Sequence, residues 1–138
     1  MPILGVAAIH GKLDMVLFEI PKQGRPQVSV DMAQGAEGKR VVAIGYPAED
    51  RRNNPLFLAS VFQGQFGVRR AAVGEVLDGT ETPSLFHDCS TTQGNSGSPI
   101  LSLTSGQVAG IHRAGFFMYR NEAVDSATLR QFVDSARP

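Results

Sequence analysis

The sequence holds a single cysteine, Cys89, so no disulfide can form within the chain and the fold must stand on packing alone. A lone thiol of this kind reads as a small buried core residue, with no catalytic role. Charge of one sign is lacking too. Thirteen basic and thirteen acidic residues give a formal net charge of +0, which predicts neither a nucleic-acid nor an anionic-membrane partner. No apolar run approaches the roughly 18 residues needed to cross a bilayer. The opening "MPILGVAAIH" has no charged stretch leading into a long apolar one, so it does not read as a signal peptide and leaves the compartment open.

What is present fits one globular domain by length. Hydrophobic residues make up 42% of the 138 and charged residues 19%. Short apolar or alternating runs recur at 3–9, 14–20, 40–46, 66–79, 83–89, 99–103 and 107–112. Gly, Pro, Asn or Asp separates most of them, which predicts an all-β antiparallel barrel or sandwich. Two segments break the rhythm. Residues 47–63 begin as a polar loop and end in an apolar patch long enough for one or two helical turns. Leu129, Phe132, Val133 and Ala136 fall at i, i+3, i+4 and i+7, one apolar face of a helix over 126–136, with Asp125 or Ser126 as N-cap. The polar, glycine-rich stretch 21–38 is suited to joining two sub-structures.

The most informative stretch is "HDCSTTQGNSGSP", residues 87–99. Its residue types are the ordinary vocabulary of a β-turn, and also those of a loop that presents a nucleophile. A serine hydroxyl is a weak nucleophile that needs an exposed turn and a nearby base. A developing oxyanion needs donors oriented in advance, and the N–H groups of Gly94 and Ser96 are spaced to supply two. Gly97 lets the chain turn away without a side-chain clash. The alternative G-x-S-x-G elbow fails, because G-N-S-G-S is followed by Pro99 and a strand where that pattern requires a helix.

"DCSTTQGNSGSPILSLTSGQVAGIHRAG" resembles the active-serine region of trypsin-like serine peptidases, in particular the bacterial branch with glutamyl endopeptidase-like enzymes. "LDMVLFEI" resembles the strand that begins with that family's catalytic aspartate, and "VVAIGYP" and "FGVRRAAVGEVL" match the same branch. The resemblance implies a chymotrypsin-like double β-barrel fold. Residues 1–37 would be the last hairpin of the N-terminal barrel with the inter-barrel linker. Residues 38–138 would be a nearly complete C-terminal barrel with its terminal α-helix. It implies a serine endopeptidase acting on polypeptide through an acyl-enzyme on Ser96, with Gly94 and Ser96 as oxyanion hole and Asp14 orienting the base. Thr91 and His112 would bind a Glu or Asp side chain before the scissile bond, and no metal or cofactor is implied. Asn95 stands where animal trypsins carry an aspartate that pairs with a new N-terminal amine, so activation by that ion pair is not expected.

The chain departs from the family in its base, because the family's catalytic histidine lies well upstream of the aspartate. His10 is only four residues before Asp14, roughly 13 Å if extended, and His87 reads as structural. Two functions therefore stand side by side: a serine endopeptidase whose histidine segment is missing from this chain, and a non-catalytic protease-like domain that binds peptide or protein. Exposed strand edges on an isolated hairpin would make the chain adhesive or dimeric.

Overall fold

The computed structural model describes residues 2–22, 24, 28–30, 36–116 and 119–136. Residues 23, 25–27 and 31–35 of the expected 21–38 connection lie outside that description. Two antiparallel strands, β1 (Gly5–Ile9) and β2 (Val16–Glu19), form a separate hairpin. Then come β3 (Arg40–Gly45), α1 (Pro55–Phe62), β4 (Arg70–Asp78), β5 (Ser84–His87), β6 (Pro99–Ser102), β7 (Val108–Phe116), β8 (Arg120–Asp125) and α2 (Ser126–Ser135). Six of these strands close into an antiparallel barrel in the order β3-β4-β5-β8-β7-β6.

Closure follows from strand parity. Val41 and Ala43 of β3, Val76 of β4, Leu85 of β5, Ile100 of β6 and Ala123 of β8 all point inward and are at most 2% exposed. Cys89 joins them fully buried, and burial pushes its thiol up to about 11, so it is inert filling as expected. β8, "RNEAVD", is the strand no alternating run announces. It is buried on pairing with β5 through Leu85–Ala123 and with β7 through His112–Ala123. The register slips between His112 and Ala114 of β7, a bulge that alters which way the following side chains face.

Both helices are capped by side chains. Asn54 accepts from the Leu56 N–H at 2.9 Å ahead of Pro55, and Asp125 accepts from the Thr128 N–H at 2.7 Å. α2 lays Leu129 and Phe132 against the barrel beside β7 and β8. The hairpin has no such cover: Ile9 is 75% and Phe18 50% exposed.

The barrel core sets the stability. Ile100→Ala should lower the unfolding free energy by about 2–5 kcal/mol, whereas Leu56→Ala, at a site 81% exposed, should change it by under about 0.5 kcal/mol. Urea unfolding of the two variants checks this, and equal midpoints would contradict the core assignment.

Candidate active site

The serine loop, residues 88–98, joins β5 to β6 and is held on two sides. On one side it meets the end of β3. Gly45 leaves room for the Ser98 hydroxyl and the Asn95 side-chain oxygen, which any Cβ there would strike. Gly94 sits at φ +90°, and a Cβ on it would lie 2.8 Å from the Tyr46 carbonyl oxygen. The Ala48 N–H donates to the Gln93 carbonyl at 2.6 Å. On the other side the loop is sewn to β7: Gly97 N–H donates to the His112 carbonyl at 2.8 Å, and His112 N–H donates to the Ser98 carbonyl at 2.9 Å. Asn95 is buried and donates its amide to the Thr92 carbonyl at 3.1 Å, so the loop is braced from within by a neutral side chain.

These contacts decide which donors remain free. The N–H groups of Asn95, Gly97 and Ser98 are all used by backbone carbonyls. Those of Gly94 and Ser96 meet no acceptor among the described residues. Ser96 itself is exposed, and its hydroxyl makes one long hydrogen bond of 3.4 Å to the Arg113 carbonyl. Gly94, Ser96, Thr91 and His112 line one cavity of about 800 Å³.

The cavity wall is built from strand residues. His112 and His87 lie ring edge to ring face, with His87 Nε2 3.2 Å from His112 Nδ1, and both rings are almost wholly buried. Burial lowers both to about 4, and charge on His112 further disfavours protonation of His87, so both are neutral at pH 7. His87 Nδ1 has no partner. An orphaned N–H is costlier than an orphaned lone pair, which favours the tautomer in which His87 Nε2–H donates to His112 Nδ1. The remaining N–H of His112 is then on Nε2. Thr91 donates to Asn121 Oδ1 at 2.8 Å, and Asn121 donates to the Cys89 carbonyl at 2.8 Å, which fixes the amide's orientation. Asn121 is not singled out by the sequence, and His87 reads there only as structural; their contacts with Thr91 and His112 become visible only when β8 is placed between β5 and β7.

Asp14 is not brought to this cavity. It is exposed on the bend between β1 and β2. His10 is committed elsewhere: its Nδ1 accepts from the N–H groups of Leu13 at 2.9 Å and Lys12 at 3.2 Å, and its ring packs on Phe132. An Nδ1 used as an acceptor cannot also donate to Asp14, so the pair lacks the base-and-orienter arrangement.

A model of the trypsin-like peptidase domain matches residues 3–111. The chain belongs to the trypsin-like peptidases. Its fold matches a serine endoprotease from Yersinia pestis with a TM-score of 0.71 at 19% identity, over 95% of this chain and 43% of that one. It also matches a Glu endopeptidase with a TM-score of 0.57 at 23% identity, over 79% and 46% of the two chains. No curated protein matches it. The fold is thus chymotrypsin-like, as the sequence implies, and this peptidase domain spans less than half the length of either solved relative.

The buried imidazoles give the domain a pH-dependent stability. Both fold with pKa values near 4 against 6.5 when exposed, so the unfolded chain binds more protons between those values. Their contribution is complete above pH 6.5 and is lost as pH falls toward 4. Urea unfolding should show about 2–4 kcal/mol less stability at pH 5 than at pH 7.5, with ordinary carboxylates still ionised at both. His87→Leu should flatten that slope; an equally steep slope in the variant would contradict the neutral pair.

Proposed function

We propose that this domain carries the nucleophile half of a serine endopeptidase, with Ser96 as nucleophile and the N–H groups of Gly94 and Ser96 as oxyanion hole. The observation that carries the reading is the pair of free donors flanking an exposed hydroxyl in a loop whose other N–H groups from Asn95 to Ser98 are bonded. Ser96 Oγ would attack the peptide carbonyl carbon as a base takes its proton. The oxyanion would accept from the two amides, and the base would protonate the departing amine as the C–N bond breaks. Water then hydrolyses the acyl-enzyme on Ser96.

None of the three imidazoles hydrogen-bonds Ser96 Oγ. The base is therefore proposed to come from polypeptide beyond these 138 residues, with Asp14 orienting it. Residues 1–37 would belong to a first barrel and 38–138 to the second. Thr91 and His112 are proposed to receive Glu or Asp before the scissile bond. The favoured tautomer gives His112 an Nε2–H donor, and a carboxylate outcompetes the neutral Asn121 oxygen for the Thr91 proton. A Glu endopeptidase is among the solved structures that share this fold.

One observation favours a non-catalytic peptide-binding domain instead: the Ser96 hydroxyl rests on a carbonyl with no imidazole beside it. A fluorophosphonate probe separates the two. The chain alone should label slowly, on the order of 10⁴-fold below a complete triad, and rapidly once a polypeptide bearing the histidine is supplied. No labelling of Ser96 in either state would leave the binding domain. In the complete enzyme, His112→Gln should lower kcat/KM for Glu substrates by at least ~10-fold, and a preference for Arg or large aromatics would contradict the acidic pocket.

A further inference from the structure

The cavity beside Ser96 is far larger than one glutamate side chain requires, and its lining includes a charged device the triad chemistry does not use. Asp50 and Arg52 lie on the loop between β3 and α1. That loop is tied to the serine loop by the Ala48–Gln93 hydrogen bond, while Arg113 approaches Ser96 from β7. Asp50 is 5% exposed yet keeps its charge, because hydrogen bonds from Arg52 hold its carboxyl below the usual range. Its Oδ1 accepts from Arg52 Nε at 2.9 Å and from the Arg52 N–H at 3.0 Å. Its Oδ2 accepts from Arg52 Nη2 at 3.0 Å and Asn53 Nδ2 at 3.1 Å.

This grip is one-sided. A guanidinium has five N–H donors, and Asp50 takes one on Nε and one on Nη2. Three remain, two of them along the Nη1–Nη2 edge, which meets no acceptor among the described residues, on a side chain that is 76% exposed. That edge has the fork geometry that binds a carboxylate through two parallel hydrogen bonds. The other arginines of the cavity are engaged differently: Arg113 pairs with Glu122, and Arg120 stacks 3.6 Å over the Phe86 ring. A buried carboxylate that fixes an exposed guanidinium removes the rotamer entropy that weakens ordinary surface pairs.

Resting on the reading of Ser96 as a peptidase nucleophile, we infer that Arg52 is a second carboxylate-binding group of this cavity. It selects an acidic substrate side chain other than the one between Thr91 and His112, and Asp50 is its positioning residue.

The test is fluorescence polarisation of labelled hexapeptides on the 138-residue chain, all neutral except for one Glu moved along the positions, each against its Gln counterpart. Wild type should favour Glu at two positions. Arg52→Gln should abolish the preference at one, a loss of ~10-fold, and spare the other, while His112→Gln does the reverse. Asp50→Asn should weaken the same position as Arg52→Gln, and Arg52→Lys should restore it only in part. Because Arg52→Gln strips a buried carboxylate of its partner, the double variant Asp50→Asn/Arg52→Gln, matched to wild type in thermal midpoint, carries the same comparison. A single Glu position that depends on His112 and not on Arg52 overturns this inference and leaves the peptidase reading standing. Equal weakening of both positions by Arg52→Gln overturns it as well. Indifference of wild type to Glu everywhere, or no peptide binding at all, overturns both.

Discussion

The site depends on the seam between the serine loop and β7, where Gly97 N–H meets the His112 carbonyl and His112 N–H meets the Ser98 carbonyl. Because β7 is itself fixed by the closed barrel, these two bonds transmit the rigidity of the core to a turn that would otherwise be mobile. They hold the Ser96 hydroxyl at the Arg113 carbonyl and set His112 into the wall of the same cavity. The seam occupies the Gly97 N–H, and bonds within the loop occupy those of Asn95 and Ser98, so the Gly94 and Ser96 amides are left without an acceptor among the described residues. Gly45 and Gly94 supply the other half of the constraint, since a methyl group on either would drive the loop off β3.

The two proposed carboxylate-binding groups of the cavity differ in their electrostatics. The His112–His87 pair is neutral and buried, so it offers a directed N–H without a resident charge to desolvate. The Asp50–Arg52 pair is charged and placed at the rim, where the buried carboxylate holds an exposed guanidinium in one orientation. A polypeptide crossing Ser96 would meet both. The hairpin stands apart from this machinery: its apolar faces are uncovered, and Asp14 on its bend has no imidazole to orient.

Much of this was legible in the sequence. Glycine spacing around Ser96, Pro99 and the following apolar run fix a strand–loop–strand arrangement because backbone sterics act locally. Asp125 and the Leu129–Phe132 spacing likewise announce α2. β8 was not legible, since "RNEAVD" has no alternation of its own and is buried only by long-range pairing on both edges. For the same reason the His87–His112 contact stayed hidden, as it joins residues from β5 and β7. The helix α1 reads as a short patch, but its start is encoded by Asn54 and Pro55. Arg52 sits in a polar run, "EDRRNN", that reads as a solvated loop; nothing in it says that Asp50 turns inward while Arg52 does not.

Ser96 can act as the proposed nucleophile only if the oxyanion cradle exists in this chain before any base is supplied. The most direct measurement is an NMR titration of the ¹⁵N-labelled chain with a peptide boronic acid, whose boron accepts the Ser96 oxygen and then presents a charged oxygen as the tetrahedral intermediate does. The expected result is an adduct on Ser96 with the largest downfield amide shifts at Gly94 and Ser96, and small changes at Asn95, Gly97 and Ser98, whose N–H groups are already bonded. Adduct formation that leaves the Gly94 and Ser96 amides unmoved would contradict it, as would an adduct on any other serine.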